Sequence, residues 1–77
     1  MHPQKIKDQL LKHFPDAEMK LEDLTGGGDH WRLSIVSQAF CGKSLVAQHQ
    51  LVYAALHQWL NREIHALALD TQPREGK

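Results

Sequence analysis

The chain has 77 residues, of which 42% are hydrophobic, and its nine basic and nine acidic residues give a formal net charge of zero. This length allows one small domain, and the charge balance excludes a strong electrostatic attraction to nucleic acid or to an anionic membrane. A single cysteine excludes an internal disulfide and indicates a reducing compartment, and the longest apolar run is far below the roughly 20 residues of a membrane span. We therefore expect a cytoplasmic protein with no membrane partner.

The first half of the chain predicts one helix and a strand hairpin. Pro3 suits a first helical turn, and an apolar stripe with helical spacing follows it, so we predict a helix over residues 3–14. Residues 17–24 and 31–37 alternate apolar and polar side chains, as strands with one wet face do. The segment TGGGDH, residues 25–30, is then the hairpin loop, which its glycines make flexible.

The second half predicts helical structure followed by a third strand. Ser44 is a suitable N-cap, and apolar spacing predicts a long helix over 44–56 and a short or kinked helix to residue 61. Residues 64–70 form the third predicted strand. We expect residues 71–77 to be a flexible polar tail, which leaves one domain over residues 1–70.

The element order is therefore α-β-β-α-α-β, with every helix on the one apolar face of a three-stranded mixed sheet. The first two strands pair antiparallel, and the helical crossover favours parallel pairing of the second and third strands. This is a two-layer α+β domain.

Two of the six histidines stand at the starts of predicted strands. His30 immediately precedes the second strand and His65 begins the third, so parallel pairing places both at one rim of the sheet. Their rings should then lie within roughly 12 Å of each other, with His65 partly exposed. Two imidazoles make half of a metal site. Cys41 lies beyond the far end of the second strand, roughly 20 Å away, so further ligands must come from another molecule.

Three blocks of the sequence resemble the BolA family. They are KLEDLTGGGDHWRLSIVS (20–37), FCGKSLVAQHQLVYAAL (40–56) and IHALALDT (64–71). The second is similar to the family pattern Phe-x-Gly-Lys-x-Leu, a central histidine and Leu-Val-Tyr-Ala, and the third carries Ile-His-Ala-Leu. The resemblance implies a class II KH-like fold, which agrees with the element order.

The resemblance also implies a monothiol glutaredoxin as partner and a shared [2Fe–2S] cluster. In this family the glutaredoxin supplies one cysteine, bound glutathione supplies a second thiolate, and the BolA-like protein supplies the remaining ligands. Those ligands match His65 and, in the loop between the first strands, His30. Because that loop holds no cysteine, the chain resembles the histidine-type variant, with His30 and His65 as metal and cofactor ligands.

Two functions therefore compete. The first is a non-catalytic adaptor in iron–sulfur trafficking or in redox or iron sensing. The second is a nucleic-acid-binding transcriptional regulator, which the KH-like fold suggests. The second is less favoured, because the net charge is zero and glutamines flank His49 where relatives commonly carry arginines. An enzyme is not expected, since no nucleophile–base or carboxylate pair occurs at a predicted pocket.

Overall fold

The computed structural model describes residues 2–74, which form two α-helices and one three-stranded sheet. The elements are α1 (Pro3–His13), β1 (Glu18–Asp23), β2 (His30–Ser37), a short 3-10 helix (Gln38–Phe40), α2 (Leu45–Leu56) and β3 (Ala66–Pro73). The predicted α+β class is confirmed. Neither helix in this part of the chain has the length and apolar character needed to cross a bilayer.

The sheet has the strand order β1-β2-β3, so β2 is central. β1 pairs antiparallel with β2, and β2 pairs parallel with β3, as predicted. The Cα of His30 lies opposite that of Ala66, and Ser37 lies opposite Pro73. The amino ends of β2 and β3 therefore lie side by side at one rim of the sheet.

The core lies between one face of the sheet and the two helices. Trp31, Leu33 and Ile35 alternate along β2 and are buried, because each points toward the helices. The side chains that surround them in the buried cluster are Ile6, Leu10, Phe14, Phe40, Val52, Ala55, Leu56 and Ile64. Burial of one large aliphatic side chain stabilises a fold by about 1.5–3 kcal/mol, so this layer fixes β2 and the rim that it carries.

The predicted short helix up to residue 61 is not formed. Residues 57–63 make turns, in which Asn61 has a left-handed φ of 63° that cannot continue a right-handed helix. The Ile64 N–H donates to the Trp59 carbonyl, and the Asn61 N–H donates to the Ile64 carbonyl, each at 3.0 Å. This turn carries Ile64 into the core, where it is 1% exposed.

The predicted start of the flexible tail at residue 71 is too early, because residues 71–73 belong to β3. β3 continues through Pro73, and Thr71 is buried. The Thr71 hydroxyl donates to Gln48 Oε1 of α2 at 2.7 Å, so this polar side chain forms its hydrogen bond inside the protein rather than with solvent. Residues 75–77 of the expected tail lie outside the described residues.

Candidate functional site

The backbone at the start of β3 is hydrogen-bonded to Asp29, the residue that precedes β2. β3 begins at Ala66, so His65 lies just before the strand rather than inside it. The Asp29 carbonyl accepts hydrogen bonds from the His65 N–H at 2.8 Å and from the Ala66 N–H at 3.2 Å. These bonds hold the backbone of His65 beside that of His30.

The glycine loop is bonded to the end of β1. The Asp23 carboxylate accepts hydrogen bonds from the backbone N–H groups of Thr25, Gly26 and Gly28, at 3.3, 2.9 and 3.0 Å. Gly26 and Gly28 have φ values of 78° and 75°, which L side chains rarely adopt, so glycine suits this path. The buried Trp31 indole N–H donates to the Gly28 carbonyl at 3.0 Å, which anchors the loop where it enters β2.

His30 and His65 lie together at this rim. Their ring centroids are 6.3 Å apart, which confirms the predicted proximity. The His30 side chain is 44% exposed and the His65 side chain 63% exposed, so both rings are accessible to another molecule. The predicted exposure of His65 is confirmed as well.

A carboxylate that the sequence analysis did not identify joins the pair. Asp29 Oδ2 lies 3.8 Å from His30 Nε2 and 4.0 Å from His65 Nδ1. One ligand atom from each of these three side chains lies within 4.8 Å of the others. Within residues 2–74 they form the one group of three or more metal-capable side chains at such distances. The sequence feature that could have identified Asp29 is its position directly before the candidate ligand His30.

The Asp29 carboxylate is held in its ionised form. Its Oδ1 accepts a hydrogen bond from the Thr25 hydroxyl at 3.0 Å. This bond is the main cause that lowers the pKa of Asp29, against the opposing effect of desolvation, and the His30 and His65 rings lower it further only when they carry a proton. The rim therefore presents two imidazoles and one negative charge near neutral pH.

Cys41 lies at the opposite end of the sheet, as predicted. Its thiol donates to the Arg74 carbonyl at 3.1 Å, just beyond the carboxyl end of β3. It is exposed, and its bond to Arg74 places it beyond the end of β3 opposite to His65. Any thiolate at the histidine rim must therefore come from another molecule.

A sequence model of the BolA-like protein family matches residues 3–75. An uncharacterised protein of Rickettsia prowazekii is 38% identical over 68 residues, which cover 88% of each chain. A protein of Escherichia coli named as the DNA-binding transcriptional regulator BolA is 35% identical over 75 residues, with 88% of this chain and 71% of the relative covered.

Solved structures show the same architecture. The BolA domain of SufE1 from Arabidopsis thaliana superposes with a TM-score of 0.83 at 33% identity, and the match covers 95% of this chain and 94% of that domain. Some curated relatives are longer than the region of similarity. The match spans 22% of SufE-like protein 1 of Arabidopsis thaliana and 59% of a BolA-like protein of Schizosaccharomyces pombe.

Proposed function

The chain belongs to the BolA-like protein family, and from that premise we propose that it is a cytoplasmic, non-catalytic adaptor that shares a [2Fe–2S] cluster with a monothiol glutaredoxin. Its role is iron–sulfur cluster trafficking, or redox or iron sensing. The observation that carries the proposal is the exposed pair of imidazoles, His30 and His65, with ring centroids 6.3 Å apart.

The donor set at the rim fits a shared cluster better than one held by this chain alone. Two histidines can supply two nitrogen ligands to one iron, as in Rieske centres. The chain has no thiolate at this rim, since Cys41 bonds to Arg74 at the other end of the sheet. Glutaredoxin and its bound glutathione would supply the thiolates. Two neutral imidazoles in place of thiolates raise the reduction potential of such a cluster.

The two histidines differ in the hydrogen bonds that hold their backbones and in the exposure of their side chains. The Asp29 carbonyl fixes the backbone of His65 through two hydrogen bonds, while 63% of the His65 side chain remains exposed to an approaching partner. His30 follows the glycine loop, whose amides are held by Asp23. The backbones of both residues are therefore held before a partner binds, and His65 offers the more exposed ring in this proposal, while His30 completes the pair.

A nucleic-acid-binding regulator is the second candidate, because the Escherichia coli relative carries that name. The zero net charge of this chain weakens it, since phosphate contacts supply most of the affinity in such complexes. A titration with short DNA at two salt concentrations separates the candidates. Micromolar binding that weakens steeply with salt would support the regulator.

Anaerobic reconstitution tests the adaptor directly. The chain is mixed with a monothiol glutaredoxin, glutathione, iron and sulfide, and the product is read by visible spectrum and native mass. We expect a heterodimer with one cluster and a spectrum distinct from that of the glutaredoxin homodimer. A glutaredoxin with its ligand cysteine replaced by serine is the control and should give no cluster. An unchanged homodimer spectrum with this chain in excess would contradict the proposal.

A further inference from the structure

We propose that Asp29, His30 and His65 also form a binding site for a single divalent transition-metal ion in the chain alone. This site needs neither glutaredoxin nor a cluster, so it goes beyond the proposed function. The three side chains each offer one ligand atom, and these atoms lie within 4.8 Å of one another. Two histidines and one carboxylate are a known ligand set for divalent metals with open coordination positions.

The distances require a small closure of the site. Ligand atoms that share one ion at metal–ligand distances of about 2.0–2.2 Å lie about 3–3.5 Å apart. Asp29 Oδ2 is now 3.8 Å from His30 Nε2 and 4.0 Å from His65 Nδ1. The three side chains are 41–63% exposed, so rotation of the rings can close these gaps while the backbone stays in place.

The backbone brings the three ligands together before any ion binds. The Asp29 carbonyl holds His65 through the hydrogen bonds of the strand head, and the Thr25 hydroxyl holds the Asp29 carboxylate at 3.0 Å. Asp29 is adjacent to His30 in the chain but precedes β2, so strand alternation does not force their side chains apart. Little further ordering is needed when an ion binds.

The donor chemistry selects the class of ion. One carboxylate and two neutral imidazoles leave a divalent ion with one net positive charge and space for water. Imidazole nitrogen suits cobalt, nickel, copper and zinc, whereas magnesium and calcium prefer sites made of oxygen ligands. We therefore assign the site to borderline divalent ions such as Zn²⁺ and Co²⁺.

Titration of the purified chain with Co²⁺, in the absence of glutaredoxin, glutathione, iron and sulfide, tests this assignment through the visible absorption of the bound ion. We expect one Co²⁺ per chain, displaced by Zn²⁺ and not by Mg²⁺. Loss of an outer-shell partner typically weakens metal binding about 10–100-fold, and Asp29→Asn removes a direct ligand, so it should cost at least as much. His65→Ala should abolish the absorption.

Matched controls separate the site from binding elsewhere on the chain. His57→Ala at the end of α2 and Asp70→Asn on the exposed face of β3 should leave Co²⁺ affinity within about twofold. Far-UV circular dichroism confirms that each variant is folded. Equal affinity of wild type and Asp29→Asn, or of wild type and His65→Ala, would overturn the assignment, as would the absence of Co²⁺ absorption in the wild type. The assay contains no cluster, so either proposal can fail alone.

Discussion

The imidazole rings of His30 and His65 lie 6.3 Å apart at the amino ends of two parallel, hydrogen-bonded strands. The two residues are 35 positions apart in the chain, and the crossover through α2 brings them together. An antiparallel β3 would have put His65 at the end of the sheet occupied by Cys41 and Arg74. The strand direction therefore determines which side chains share the rim.

Replacement of Thr71 by valine should destabilise the fold by about 1–3 kcal/mol, because a buried acceptor then loses its donor. The Thr71 hydroxyl donates to Gln48 Oε1 at 2.7 Å, and Gln48 is 7% exposed. Urea unfolding measures the change, with Thr71→Ser as the control that keeps the hydroxyl. Valine and serine variants of equal stability would contradict an interior role for this bond.

Ionisation of the Asp16 carboxyl group should make the free energy of unfolding depend on pH in the acidic range. Its carboxylate accepts hydrogen bonds from the Gln38 N–H and the Ser37 hydroxyl, each at 2.8 Å, and these bonds lower the pKa of Asp16, with the Gln38 N–H as the larger cause. A lowered carboxyl pKa stabilises the fold above the unfolded value of about 3.9, and the effect is lost as the pH falls through the folded value.

Unfolding of Asp16→Asn at several pH values checks this. The variant should be less stable than wild type near neutral pH, and the difference should shrink below about pH 3.9. Asp70→Asn on the exposed face of β3 serves as the control. A gap between wild type and Asp16→Asn that stays constant into acid would show that the ionised carboxylate is not responsible.

Much of the fold and the two histidines could be predicted from the sequence. Period-two alternation identifies β1 and β2, helical spacing identifies α1 and α2, and the crossover rule gives the parallel pairing. The adjacency of His30 and His65 then follows from strand direction alone. The predicted adjacency agrees with the observed register, in which His65 comes one residue before Ala66, the residue that pairs with His30.

The missed features depend on side-chain direction and on tertiary partners. Asp29 lies in a bend before β2, and strand alternation gives no direction for a side chain in a bend. The polar Thr71 looked like tail sequence, because its partner Gln48 is 23 residues away on α2. The apolar Trp59 and Leu60 suggested a helix, but residues 57–63 form turns in which Asn61 has a left-handed backbone conformation.

Acid should release the cluster from the proposed heterodimer. An imidazole binds iron only in its neutral form, so protons compete with iron for the ring and the competition should grow as the pH falls. Visible absorbance of the heterodimer across the range measures the loss, with the all-thiolate glutaredoxin homodimer as the control. A cluster equally stable from about pH 8 to about pH 5.5 would argue against histidine ligands.

Replacement of His30 by alanine should weaken the mixed complex and alter its spectrum without abolishing it. His65 remains fixed by the Asp29 carbonyl, and the Asp29 carboxylate lies 4.0 Å from the His65 ring, where it can offer an oxygen ligand. Reconstitution of His30→Ala, and of the same variant with Asp29→Asn, separates these contributions. Complete loss of the cluster in His30→Ala with Asp29 intact would show that the Asp29 carboxylate does not act as a ligand in place of His30.

The most direct test of the shared-cluster proposal is anaerobic reconstitution of His65→Ala with a monothiol glutaredoxin and glutathione, read by visible spectrum and native mass. His57→Ala, which removes an exposed imidazole at the C-cap of α2 that is not part of the Asp29–His30–His65 group, is the matched control. The proposal predicts that His57→Ala forms the mixed species like wild type and that His65→Ala leaves only the glutaredoxin homodimer. A His65→Ala heterodimer with an unchanged cluster spectrum would contradict it.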